Sequence, residues 1–137
     1  MSGHELPIMA TAFTRRQVTD LRHSVGDHAR RSGLSGARHE NFVLAVHEAV
    51  TNVVDHAGGR GLLRLWRSDA QLHCEISDSG PGIPDGTLDS PMPPLDHFGG
   101  RGLWLVRLLS DATAIDTGPA GTRVRITFHL MPVPKPA

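Results

Sequence analysis

Between Ala37 and His56 the apolar residues Phe42, Val46, Ala49, Val50 and Val53 recur near a 3.6-residue period. That spacing predicts an amphipathic helix, ended by Gly58-Gly59. Val18, Leu21, Val25 and Ala29 repeat the period more weakly and predict an earlier helix running to about Arg31. Thr14, with Gln17 three residues on, reads as its capping box, and Ser32-Gly33-Leu34-Ser35-Gly36 as the break after it. The period then changes to two. Leu72, Cys74 and Ile76 alternate with Gln71, His73 and Glu75, the pattern of a half-buried strand over 71–77. A strand over 61–67 precedes it across a Ser68-Asp69-Ala70 turn, and residues 9–13 read as a short edge strand. Residues 103–109 read as a helix entered through Gly99-Gly100-Arg101-Gly102, and strands over 112–117 and 122–130 flank the turn Gly118-Pro119-Ala120-Gly121. The order β-α-α-β-β-loop-α-β-β predicts a two-layer α/β (α+β) sandwich. Its sheet is mixed, mostly antiparallel, and covered on one face by about three helices.

Residues 78–100 follow neither period. They carry Pro81, Pro84, Pro91, Pro93 and Pro94 among glycines, and a connection of this length usually forms a lid or a binding loop. The 137 residues read as one domain, with a core over about 10–130 and a flexible, proline-rich tail over 131–137. Fourteen basic residues balance fourteen acidic ones, so nothing draws the chain as a whole to nucleic acid or anionic lipid. No apolar run is long enough for a membrane helix, and residues 1–6 lack the flank and core of a secretion signal. Cys74 is the only cysteine, which excludes an internal disulfide and a multi-cysteine zinc site and fits a reducing cytoplasm. The nine histidines are scattered, without the His-Glu-x-x-His spacing of a zinc hydrolase.

Glu48, Asn52 and His56 recur every four residues and form one polar stripe beside the apolar face of the second helix. A carboxylate one turn from an amide suits phosphate chemistry: the amide oxygen can ligate Mg²⁺, and the carboxylate can take a proton from an attacking hydroxyl. An ordinary solvated helix face accounts for the same spacing. Asp78-Ser79-Gly80-Pro81-Gly82 follows a strand end, where glycines let backbone approach a planar ligand and a carboxylate can accept from an exocyclic amino group. The same residues are turn formers. Gly99-Gly100-Arg101-Gly102 offers free N–H groups and a positive dipole end to a phosphate, or alternatively a hinge.

Taken in order, Glu48-x-x-x-Asn52-x-x-x-His56, Asp78-x-Gly80-x-Gly82, Gly100-Arg101-Gly102-Leu103 and Gly121-Thr122 resemble the GHKL (Bergerat-type) ATPases. That group includes gyrase, histidine-kinase catalytic domains and anti-sigma factor kinases. Val46-His47-Glu48-Ala49-Val50-Thr51-Asn52 and Gly100-Arg101-Gly102-Leu103-Trp104-Leu105-Val106 are most similar to the N-box and second glycine box of the small anti-sigma factor serine/threonine kinases. The resemblance spans about residues 10–130. It implies ATP and Mg²⁺ as ligands, with Asn52 holding the metal and Glu48 acting as general base. Asp78 would accept from the adenine amino group, Gly80 and Gly82 would make room for the base, and Thr122 would sit on its polar edge. Gly99, Gly100, Arg101, Gly102 and Leu103 would meet the phosphates beneath a lid formed by residues 83–99. No role follows for His56 beyond packing on the sheet.

The family further implies a cytoplasmic homodimer that sequesters a sigma factor and phosphorylates a STAS-domain anti-anti-sigma protein, with no direct nucleic-acid or membrane contact. Arg15, Arg16 and Arg22 are the candidates for acidic partners. One departure bears on catalysis: the position before the second glycine box, basic in the best-studied members, is His97-Phe98-Gly99 here. The alternatives are an ATP-responsive regulatory module without kinase activity, and a detached histidine-kinase catalytic domain.

Overall fold

The computed structural model describes residues 5–83 and 100–130. The chain opens with strand β1 (Glu5–Thr14), a 3₁₀ turn (Arg15–Gln17), and helices α1 (Val18–Ser32) and α2 (Gly36–His56). Strands β2 (Arg60–Ser68) and β3 (Gln71–Asp78) follow, then helix α3 (Gly100–Leu109) and strands β4 (Ala112–Gly118) and β5 (Gly121–His129). The strands form one sheet in the order β1-β2-β3-β5-β4. All four pairings are antiparallel, so the expected mixture of directions is absent among the described residues. The physical reason lies in the connections. β2–β3 and β4–β5 are hairpins, and the α1–α2 pair returns the chain so that β2 runs back along β1.

The expected order of elements is present, with boundaries that differ for identifiable reasons. The first helix starts as a 3₁₀ turn, because Gln17 Oε1 accepts from both the Thr14 N–H (2.7 Å) and its hydroxyl (2.8 Å) and tightens the entry. Gly33, at φ +117°, closes α1, and the Leu34 N–H reaches back to the Ala29 carbonyl at 3.1 Å. The β2–β3 turn shrinks to Asp69-Ala70, with Asp69 at φ +51°, a conformation that a short polar side chain tolerates. β1 is an edge strand of ten residues, longer than the apolar stretch that marks it.

The helices lie on the sheet face that carries Leu63, Leu65, Leu72, Cys74, Ile76, Val124, Ile126 and Phe128, all buried. α2 is central and packs on both α1 and α3. Its Phe42 meets Phe128 edge-to-face with ring centroids 5.2 Å apart. The other face buries Trp66 by different means. Its ring stacks on His73 (5.2 Å) under the guanidiniums of Arg64 (4.6 Å) and Arg125 (5.2 Å). The two sides of the sheet are thus closed by different chemistry, and the alternation that separates them continues to the strand ends. It puts Asp78 and Thr122 on the helix side.

Candidate functional site

The site grows from three elements that the core holds together. β3 delivers Asp78 at its end, opposite Thr122 at the start of β5. Cross-strand partners stand about 5 Å apart at Cβ, so these two side chains border one spot. Asp78 Oδ1 accepts from the Gly80 N–H at 2.8 Å, which curls the loop back and leaves the second carboxylate oxygen open among the described residues. Burial of Cys74, on the helix-covered face of the same strand, pushes its thiol well above the ordinary range, with Glu75 adding to the shift, so it is an inert core residue.

Glycines set how closely this loop can sit. A Cβ on Gly80 would stand 3.0 Å from the Ala57 Cβ, so the missing side chain lets the loop rest on the C-terminal end of α2. Gly82, at φ +89°, lies where a Cβ would run into the Gly118 carbonyl oxygen. The loop therefore touches α2 at one point and the β4–β5 hairpin at another.

α2 contributes the stripe. Glu48, Asn52 and His56 are all half-buried, as positions bordering an apolar face should be. α3 begins at Gly100, so Gly100, Arg101 and Gly102 form its first turn rather than an entry loop. Their N–H groups are the ones a helix leaves without intrahelical partners. Leu103 and Val106 are buried and hold α3 on α2. A Cβ on Gly102 would stand only 3.2 Å from Glu48 Oε1, so this glycine admits the carboxylate beside the first turn of α3, where the helix dipole favours negative charge. Among the described residues no hydrogen bond or ion pair engages the Glu48 carboxylate or the Asn52 amide. That donor set, an amide oxygen and a carboxylate one turn apart, fits the hard-oxygen preference of Mg²⁺.

Of the other expected site residues, Gly99 and all of the lid expected over 83–99 except Ile83, including His97-Phe98, lie outside the described residues. Arg15 is already paired, its Nη2 2.9 Å from Asp55 Oδ1, while Arg16 and Arg22 are exposed. Among the described residues, two cavities adjoin Asp78. One of about 740 Å³ is lined by Phe13, Gln17, Ala57, Leu62 and residues 78–81. The other, of about 310 Å³, is lined by Asp78, Thr117, Gly121 and Thr122 among others. Glu48 and Asn52 line neither.

Sequence reasoning misses Thr117. Its hydroxyl lies 2.8 Å from that of Thr122 and accepts from the Ile83 N–H at 2.9 Å. The signal was present: a turn over 118–121 makes residues 117 and 122 cross-strand partners.

This geometry matches known proteins in fold. The structure of the RsbU and RsbW domains of Rv1364c from Mycobacterium tuberculosis superposes with a TM-score of 0.63 at 16% identity, covering 90% of this chain and 33% of that one. The histidine kinase domain of the blue-light activated histidine kinase EL346 from Erythrobacter litoralis gives 0.52 at 23% identity, covering 84% of this chain and 64% of that one. The catalytic domain of the histidine kinase ThkA gives 0.55 at 14%, covering 92% of this chain and all of that one. This chain thus spans a third of the first of these structures and under two thirds of the second. No curated protein matches it. The model of the histidine kinase-like ATPase domain matches residues 11–128, and the chain belongs to that GHKL family.

Proposed function

We propose that this chain binds Mg·ATP and is a protein serine/threonine kinase that also acts as an anti-sigma factor. The observation that carries the reading is Glu48: a half-buried carboxylate without a protein partner among the described residues, admitted by Gly102 beside the first turn of α3 and one turn from Asn52. Asn52 would hold Mg²⁺, which when bound neutralises charge on the phosphates. Glu48 takes the proton of the acceptor hydroxyl as its oxygen bonds to the terminal phosphorus and ADP departs. The open Asp78 oxygen accepts from the adenine amino group, with Thr122 on the polar edge of the base and Gly80 and Gly82 bringing backbone close to it. Gly99, Gly100, Arg101, Gly102 and Leu103 serve the phosphate end, where unpaired N–H groups favour anions.

The likeness to a structure containing an RsbW domain supports a sigma factor and a STAS-domain anti-anti-sigma protein as partners. We further propose that the chain is a single domain that acts in the cytoplasm as a homodimer. Among the described residues no helix is long and apolar enough to cross a membrane. Calorimetry comes first. Wild type should bind Mg·ATP, and Asp78→Asn and Asn52→Ala should both lose that binding. Incubation with a STAS partner and Mg·ATP, followed by intact-mass measurement, should then add one phosphate to the partner. A partner that binds yet gains no phosphate would leave a regulatory module and sink the kinase assignment.

A further inference from the structure

We infer that Thr117 is a positioning residue for the base end of the site, holding both the loop that follows Asp78 and the hydroxyl of Thr122. The inference rests on the nucleotide reading above. Two hydrogen bonds converge on one oxygen, and a glycine leaves room beside it. The Ile83 N–H donates to Thr117 Oγ1 at 2.9 Å, the Thr122 hydroxyl shares a hydrogen bond with it at 2.8 Å, and a Cβ on Gly82 would stand 3.2 Å from it. Thr122 is in turn the cross-strand partner of Asp78. A single hydroxyl therefore ties residue 83, five residues beyond Asp78, to the strand pair that presents Asp78 and Thr122.

The backbone geometry explains why such a tie is required. Gly82 occupies a positive-φ conformation against the Gly118 carbonyl, and Gly121, at φ +144°, sits where a Cβ would strike the Asp78 carbonyl oxygen. These close approaches let the loop and the hairpin meet, but a glycine contact has no direction. The hydrogen bond from Ile83 supplies it. Thr117 itself is exposed, so its side chain is not held there by burial. Without the hydroxyl, the Ile83 N–H loses its acceptor and Thr122 loses the partner that fixes its rotamer. Both changes reach the base before they reach the phosphates, which are met from α2 and α3.

Thr117→Val and Thr117→Ser separate the hydroxyl from the methyl. Thr117→Val should weaken ATP binding by about 3- to 10-fold, the equivalent of one net hydrogen bond, and speed hydrogen exchange at the Ile83 amide by a similar factor. Thr117→Ser should restore both, a rescue that loss of packing could not produce. Thr117→Val with wild-type ATP affinity would overturn the inference. So would a Thr117→Ser variant as weak as Thr117→Val, which would assign the effect to the methyl group. Failure of the nucleotide reading looks different: wild type itself would bind no ATP.

Discussion

α2 carries two polar clusters that differ in one respect. At one end Arg38, near the start of α2, grips Asp111 through both nitrogens (2.6 and 3.4 Å) and also reaches the His129 carbonyl at 2.7 Å. The His129 N–H completes the cluster on Asp111 Oδ2 at 2.7 Å, and the Asp111 N–H bonds to the Thr127 carbonyl at 3.1 Å. Every charge there meets a partner supplied by the chain. At the other end Glu48 and Asn52, half-buried on the same helix, have no such partner among the described residues. Leaving a half-buried polar group unmade costs free energy that a filled hydrogen bond would recover. The satisfied cluster therefore holds the fold, and the unsatisfied one is where a ligand gains most by binding.

The sharpest way to break this contrast is to exchange the carboxylate at the open end. Glu48→Gln should reduce phosphoryl transfer by a factor on the order of 10² or more, as loss of a general base does. Its thermal midpoint should stay the same or rise, since an unpaired half-buried charge is removed. Intact mass of the partner and a melting curve test the two halves. A large loss of stability would mean that Glu48 is a structural residue after all.

Asp111→Asn at the closed end should do the reverse. Removing one charge from a bidentate, partly exposed pair should lower stability by about 1–2 kcal/mol while leaving ATP affinity unchanged. The pH dependence follows the same group. The hydrogen bond from Arg38, with that of the His129 N–H, outweighs burial and holds the Asp111 carboxyl below the usual carboxylate range. With the folded value depressed, this stabilisation is fully present above the unfolded value of about 3.9 and is lost as pH falls through the folded one. Urea unfolding of wild type should therefore steepen with acid below about pH 4, and Asp111→Asn should flatten that limb. Parallel acid limbs in the two proteins would remove Asp111 from the account.

The same contrast decides what could be read from sequence. Apolar periodicity reports burial, so α2, the β3 alternation and the element order were legible, and the four-residue spacing of Glu48, Asn52 and His56 placed the stripe beside the core. Periodicity carries no register between distant segments. The Arg38–Asp111 cluster joins residues 73 positions apart and left no pattern, and nothing in the chain announced that Gly102 would face Glu48. The roles of the glycines were partly hidden for the same reason. Gly80 and Gly82 were expected to make room for a base, and the structure adds protein neighbours, Ala57 and Gly118, that need the same absence of a side chain. Trp66 was the plainest surprise. Its burial comes from arginines and a histidine of neighbouring strands, which an apolar pattern cannot show.

The smallest effect belongs to Arg15 and Asp55, and it marks where the contrast should end. Their 2.9 Å ion pair links the 3₁₀ turn to the last turns of α2, a short way from His56. Distance alone would rank it with the Arg38 cluster. Exposure ranks it far lower, because the side chains are 72% and 48% exposed and neither carries a second protein hydrogen bond among the described residues. Water and salt compete for both, and ordering a long arginine offsets part of the attraction. Arg15→Ala should therefore cost less than about 1 kcal/mol, and raising salt should shrink the difference further. Urea midpoints at low and high ionic strength measure this directly. A loss that persists in high salt would show that the pair holds the entry of α1 against α2, making this end of the helix structural as well, and the division between a satisfied end and an open one would then have to be drawn closer to Asn52.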